Sequence, residues 1–444
     1  MFCLTITSGY NLNGDNLGLL TGDSDQELFG WSLVLHQGSL YVGAPLAGKA
    51  GKVYRCDHLE TNSLRCSAQR INPEESSLLD GAWFGGTLAA SNDTLYSCAF
   101  RYNWEHFDDM VRDSLSRKNY WKWHAGKCYQ KKTSQTSFQD LVDFTPRYEG
   151  RKVKKRFQFP KAGKDDSNKY QLNVRTTETI WMDHGVYGIS STVDGWGKLV
   201  IGNPLEAERK GNARKPRLYV GSVGRIVEDR GAGKVTMVRP HKARWVKPNE
   251  DLSEDWTTNR FTGYAVISGK FFWSTTGLAV GAPKAENYRG KVYICRNCFQ
   301  ARPVFLEVAG TKPGEHFGSA LAACDIDGDG REDLLVGAPN YARNKETYNS
   351  GRLYVFMMRK GLSQRADQII TAEEERSNAR FGSSVACLGD TDGTRSRKVM
   401  VGAPYYQERG AVFVFRYNNH NTLELSQTIR SQGEDFIILY KSVR

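Results

Sequence analysis

Short runs in which Val, Tyr and Phe alternate with other residues recur along the 444-residue chain, and this period predicts β-strands. Two landmarks organise the runs: an aromatic-Gly pair, and an apolar stretch ending in Gly-Ala-Pro or a variant of it. The six copies are Phe29-Gly30 with YVGAP ending at Pro45, and Phe84-Gly85 with LYSCAF ending at Phe100. Next come Tyr187-Gly188 with LVIGNP ending at Pro204, and Phe261-Thr-Gly263 with LAVGAP ending at Pro283. Last are Phe317-Gly318 with LLVGAP ending at Pro339, and Phe381-Gly382 with VMVGAP ending at Pro404. A third landmark, Gly or Pro and then a β-rich run, follows: GKVYRC from Gly51, GKCY from Gly126, PRLYV from Pro216, GKVYIC from Gly290, GRLYVF from Gly351 and GAVFVF from Gly410. Each copy is expected to be a small antiparallel sheet that cannot bury its own apolar face and must stack on its neighbours. An all-β propeller follows, with blades at about 20–70, 75–131, 181–224, 256–306, 311–360 and 374–418, and a basic insertion at 145–172.

Aromatic and Pro landmarks lie 16 or 17 residues apart in the first three copies and 22 or 23 apart in the last three. The later copies therefore carry an extra loop between their first two strands. In copy five it reads Asp325-Ile-Asp327-Gly-Asp329-Gly-Arg331-Glu-Asp333. Carboxylates at positions 1, 3, 5 and 9 converge, and the Arg331 carbonyl fills a gap. Such a set repels itself without a cation, and an all-oxygen, flexible site suits Ca²⁺ over Mg²⁺. Gly328 and Gly330 let the backbone turn. An EF-hand is excluded, because Val336 stands where it needs a Glu and both flanks read as strands. Copy six keeps Asp390 and Asp392, a weaker second site, but Lys398 takes the last ligand position. Copy four has Gly269, Phe271, Trp273 and Gly277 at the aligned places and is expected to bind nothing.

Composition is ordinary for a globular chain, at 39% hydrophobic and 25% charged. Much of the net charge of +12 lies in Arg151–Lys164 and His241–Lys247, which read as solvated loops because no nucleic-acid-binding signature accompanies them. No apolar run is long enough for a membrane helix, and the N-terminus lacks the features of a signal peptide. The nine cysteines favour a secreted chain. Cys56/Cys66 and Cys98/Cys128 each bracket a polar loop that a disulfide could close. Cys295-x-x-Cys298 suits a tight disulfide or half a zinc site; no second CxxC or His pair completes a zinc site, which favours the disulfide. Asn92-Asp-Thr94 is a glycosylation sequon.

These features resemble the FG-GAP repeats of integrin α subunits, over about residues 10 to 420. Tyr10–Asn13 (YNLN) before Phe29-Gly30 resembles that family's mature N-terminus. Cys98–Trp104 (CAFRYNW) with Gly126–Cys128 resembles its second blade, disulfide included, and copy five resembles its calcium-bearing fifth blade. The resemblance implies an integrin-α-type seven-bladed β-propeller with six recognisable repeats and a stub of the seventh. It implies a cell-surface adhesion receptor that pairs with an integrin β subunit and binds extracellular-matrix or cell-surface protein ligands, with Ca²⁺ as its cofactor. It also implies aromatics at or beside the Phe-Gly positions that receive a basic residue of the β subunit: Phe29, Phe84, Tyr187, Phe261, Phe317 and Phe381. Asp255 or Asn259 stands near the place where members that bind Arg-Gly-Asp ligands carry an acidic contact. The gap from Cys128 to Trp181 is too short for an inserted ligand domain. After GAVFVF only SQTIRSQGEDF and IILYKSVR remain, with Phe436 able to open a seventh blade, which reads as a truncated product or incomplete gene model.

An enzyme is not expected. Gly43–Lys49 (GAPLAGK) mimics a phosphate loop, but Ala50 stands where Ser or Thr must hold Mg²⁺. No G-x-S-x-G or H-E-x-x-H occurs, no small-molecule substrate or nucleic acid is implied, and a phospholipase built on these repeats would need a further domain. The alternative reading is a free secreted propeller that binds glycans or proteins.

Overall fold

A computed structural model describes residues 3–5, 18–20, 27–57, 65–71, 81–106, 121–124, 126–141, 153–159, 170–176, 188–205, 221–229, 234–238, 260–272, 275–299, 304–358, 365–372, 376–389, 397–418 and 420–430. These residues form six sheets of four or five strands, in each of which four antiparallel strands pair in chain order, beside three two-stranded hairpins. Blade one is Ser32–His36, Ser39–Ala44, Lys52–Asp57 and Arg65–Ala68. Blade two is Thr87–Ala90, Thr94–Ala99, Lys127–Lys132 and Ser137–Asp140, with Arg70–Ile71 added in parallel at its edge. Blade three is Ser190–Val193, Leu199–Asn203, Ser222–Asp229 and Lys234–Val238. Blade four is Ala265–Phe272, Thr275–Ala282, Lys291–Arg296 and Val304–Ala309. Blade five is Ala320–Cys324, Asp333–Ala338, Arg352–Phe356 and Gln368–Ile370. Blade six is Ser384–Gly389, Lys398–Ala403, Ala411–Tyr417 and Leu423–Arg430. First strands pack side by side from blade one through blade six and so surround an axis. Among the described residues no comparable packing joins Ser384–Gly389 to Ser32–His36.

Blades adhere because their strands bury side chains on both faces. The second strands of blades two, five and six are buried at every position. Such strands read as continuous apolar runs, which is why Gly-Ala-Pro is preceded by LLV and VMV. Phe84, Phe317 and Phe381 of the aromatic-Gly pairs each enter a seam. Phe84 joins Val34, Tyr41 and Val53 of blade one to Leu88, Tyr129 and Phe138 of its own blade. Phe381 likewise joins Leu335, Leu353 and Val355 to Phe413 and Phe415, meeting the Phe413 ring edge-on at 5.3 Å. Burying each such side chain stabilises by about 1.5–3 kcal/mol.

The seam is closed by backbone. A Cβ placed on Gly281 would lie 1.9 Å from the Gly318 carbonyl oxygen of the next blade, and one on Gly337 would lie 2.0 Å from that of Gly382. The receiving glycines, Gly318 and Gly382, have φ of +88° and +87°, which L side chains rarely adopt. Hydroxyls add a rung to the early seams. Ser32 donates to the Gly85 carbonyl at 2.7 Å, Thr87 to that of Gly188 at 2.8 Å, and Ser190 to that of Gly263 at 2.8 Å. Ala265 and Ala320 hold this place in blades four and five. Ser384 holds it in blade six, where its buried hydroxyl has no partner.

Several expectations shift. In blade four the residue that occupies the aromatic's place is Thr262: its carbonyl oxygen lies 2.3 Å from a Cβ on Gly221, as those of Phe317 and Phe381 do, at 2.2 and 2.1 Å, for Gly290 and Gly351. Phe261 takes the preceding position, with φ +55° like Trp83, His316 and Arg380. The third strand of blade three is Ser222–Asp229, and the PRLYV run lies outside the described residues. Fourth strands end at Asp140, Val238 and Arg430, beyond the repeat ends read from the sequence. In blade four the extra residues lengthen the first two strands to eight residues each. Phe436 and a seventh-blade stub lie outside the described residues. The basic insertion contains a hairpin, Val153–Phe159 with Tyr170–Thr176. Among the described residues no helix is long and apolar enough to cross a membrane.

Four disulfides are present. Cys56–Cys66, Cys98–Cys128 and Cys295–Cys298 are the pairs read from the sequence. The fourth, Cys324–Cys387, joins blades five and six across a sequence separation of 63. In the chain-entropy model a loop of that length stabilises by about 4 kcal/mol. The seam makes its own prediction. Gly337→Ala forces a methyl group against the backbone of the next blade and is expected to lower unfolding free energy by about 3 kcal/mol in urea titration. Gly314→Ala, where a Cβ meets nothing within 4 Å, bears only the cost of its φ of +86° and is expected to lose less.

Candidate metal centre

The loop after Ala320–Cys324 is built from its own carboxylates. Asp327 accepts the Asp329 N–H at 3.2 Å, Asp329 accepts the Arg331 N–H at 2.8 Å, and Asp325 Oδ2 accepts the Gly330 N–H at 3.2 Å. These turns need Gly328 and Gly330 at φ +78° and +89°. They draw one oxygen each from Asp325, Asp327 and Asp329 to within 4.8 Å of one another. Arg331 turns its guanidinium onto Asp329 at 3.2 Å. Asp325 Oδ1 is buried without a hydrogen-bond partner.

Asp333 closes the loop from beneath and is fully buried. Its Oδ2 accepts the Ile326 N–H at 2.9 Å, and its Oδ1 accepts the Met358 N–H at 2.8 Å. Burial pushes its carboxyl up to about 7; the two N–H bonds oppose this, and the charges of Asp327 and Asp329 add to it. Three acidic groups drawn together, an orphaned buried oxygen and a fourth carboxylate strained by their charge fit a hard divalent cation. The oxygens of Asp325, Asp327 and Asp329 would hold it, and Asp333 would frame the loop from below.

Neighbouring blades grip this loop on both sides. The Lys270 N–H of blade four donates to Glu332 at 2.7 Å, and the Glu332 N–H donates back to the Lys270 carbonyl at 3.0 Å. From blade six, Arg397 pairs with Asp325 Oδ2 at 3.0 Å. These contacts were not readable from the sequence, since they depend on which hairpins sit side by side. The Cys324–Cys387 pairing left a signal: both cysteines lie on the first strand of consecutive repeats.

The other expected residues are dispersed. Asp390 and Asp392 lie outside the described residues, while Lys398 is buried at the start of the second strand of blade six. Asp255, Asn259 and Tyr187 also lie outside them. Phe84, Phe317 and Phe381 are buried between blades and Phe29 within blade one, all at 1% exposure or less. These four side chains therefore pack in the core. The residues beside them are only half-buried: Trp31 and Trp83 meet edge-on at 5.4 Å, and Tyr264 faces His316 at 6.3 Å. Phe261 is half-buried beneath Lys284, whose Nζ is 4.0 Å from its ring. Asn92 is exposed on the turn between Thr87–Ala90 and Thr94–Ala99.

The FG-GAP repeat family matches residues 317–356, the core of blade five with its loop. Integrin alpha-5 of Xenopus laevis is 25% identical over 445 residues, covering 93% of this chain and 37% of that protein. Integrin alpha-PS5 of Drosophila melanogaster is 30% identical over 411 residues, covering 88% of this chain and 35% of that protein. Mouse integrin alpha-3 is 24% identical, covering 96% and 37%. The chain thus spans about a third of the length of these relatives. A periplasmic gluconolactonase of Pseudomonas aeruginosa is similar in structure at a TM-score of 0.43 and 16% identity, too distant to carry an argument.

The site predicts a pH dependence. Without metal, the Asp333 carboxyl stabilises the fold when protonated; that contribution is complete below its ordinary value near 3.8 and is lost as pH rises through about 7. A cation reverses the balance by favouring the carboxylate. Affinity for Ca²⁺ is expected to rise roughly tenfold between pH 6 and pH 8, as one proton is displaced. Calorimetry at the two pH values checks this, and Asp327→Ala is expected to abolish both binding and the drop in melting temperature on chelation.

Proposed function

We propose that this chain, an FG-GAP propeller of the integrin α type, is the head of a cell-adhesion receptor α subunit on the extracellular side of the plasma membrane. The observation that carries the reading is the extent of the match: integrin α subunits align with 87–96% of the chain. In this reading it pairs with an integrin β subunit, binds an extracellular-matrix or cell-surface protein, holds Ca²⁺ in the Asp325–Asp333 loop as a structural ion, and carries a glycan on Asn92. A seventh repeat would complete the ring, and the unpartnered hydroxyl of Ser384 supports that. No catalytic role is assigned to any residue.

Pairing would use the aromatic rim. In each of two seams the residue after the Phe-Gly glycine meets the residue before the next Phe: Trp31 with Trp83, and Tyr264 with His316. A guanidinium already stacks here, with Arg101 4.9 Å from the Trp83 ring centre. Burial, then the charges of Lys284 and Arg380, hold His316 below the ordinary imidazole range, so this rim position stays neutral near pH 7. A neutral aromatic rim attracts a basic side chain of a partner by cation–π interaction.

Co-expression with an integrin β subunit of the same animal tests the reading. A co-purifying complex is expected, with at least a tenfold loss of complex in Trp83→Ala and no loss of secreted chain. Secretion as a monomer that no β subunit captures would favour the free propeller instead.

A further inference from the structure

We propose that blade six completes the cation site of blade five, with Arg397 as a positioning residue and the Cys324–Cys387 disulfide as its fixed base. This rests on reading Asp325–Asp333 as a cation loop. The two carboxylate oxygens of Asp325 are unequal. Oδ2 is taken twice, by the Arg397 guanidinium at 3.0 Å and the Gly330 N–H at 3.2 Å. Oδ1 is buried and unpartnered. Holding one oxygen of a carboxylate fixes where the other points, and here the free oxygen belongs to the residue that opens the acidic cluster.

Arg397 is itself held in place. It precedes the strand Lys398–Ala403, and its carbonyl accepts the Tyr417 N–H at 3.2 Å. The backbone on the other side of the contact is fixed covalently. Cys324 is fully buried, immediately precedes Asp325, and is bonded to Cys387 on the first strand of blade six. Blade six thus grips the first residue of the loop by an ion pair and, one residue earlier, by a disulfide. Blade four grips the other end through Lys270 and Glu332.

Without these grips the acidic side chains would spread to relieve their repulsion, and a cation would have to gather them again. Outer partners of ligating groups commonly govern 10–100-fold in metal affinity by fixing orientation. The charge of Arg397 opposes a cation, but its side chain is 32% exposed and water screens it. Orientation of Oδ1, by contrast, has no substitute in the loop. The sixth repeat, whose own loop ends in Lys398, therefore serves the cation site of its neighbour.

The test is titration of the full chain with Ca²⁺ alone, by calorimetry. Wild type is expected to bind and Asp327→Ala to fail. Arg397→Gln is expected to weaken binding roughly 10–30-fold, with Arg397→Lys within a few-fold of wild type. The double variant Cys324→Ser with Cys387→Ser is expected to weaken it at least tenfold. Wild-type binding with unchanged or tighter affinity in Arg397→Gln would overturn the proposal alone. No binding by wild type would overturn the cation reading and the proposal together.

Discussion

Everything in this molecule depends on how closely one blade's backbone approaches the next. The Gly-Ala-Pro glycine of one repeat lies against the carbonyl of the Phe-Gly glycine in the following one, with no room for a methyl group between them. That approach is possible only if the first residue lacks a side chain and the second can adopt a positive φ. Once the seam is closed, the remaining features fall into place. The Phe is driven into the inter-blade core, its neighbours are left on the rim, and the first strands are set side by side around the axis. The two most diagnostic sequence landmarks are therefore the two sides of a single contact.

The same stacking explains why the acidic loop Asp325–Asp333 of one blade involves three. Long hairpins in repeats four, five and six emerge beside each other. Blade four spends its extra residues on longer strands, with Phe271 buried where blade five carries an Asp. Blade five spends them on Asp325–Asp333. Blade six contributes Arg397 to its neighbour. A bound ion would brace this group of hairpins, at the opposite end of the first strands from the Trp31 and Trp83 rim.

Much of this was legible in the sequence because repeats report the fold through their period and their special residues. The six blades, three of the disulfides and the acidic loop follow from residues that must be Gly, Cys or Asp to do what they do. What escaped was relational. Thr262 was hidden because Phe261 offers an aromatic one residue too early, and only the carbonyl facing Gly221 reveals the register. Which of two adjacent aromatics enters the seam, as between Trp83 and Phe84, is settled by packing. Cys324–Cys387 and Arg397–Asp325 cross between repeats, so no single repeat encodes them.

A cation bound at Asp325–Asp333 would brace blade five and, through its neighbours' grips, blades four and six, while leaving the Trp31 and Trp83 rim untouched. Hydrogen–deuterium exchange of the full chain, with Ca²⁺ and with chelator, tests this most directly. Chelation is predicted to speed exchange in the loop from Asp325 to Asp333 and in the flanking hairpins Ala265–Ala282 and Ser384–Ala403, with no change around Trp31 and Trp83. Uniform exchange with and without the ion, or a change confined to the rim, would contradict it.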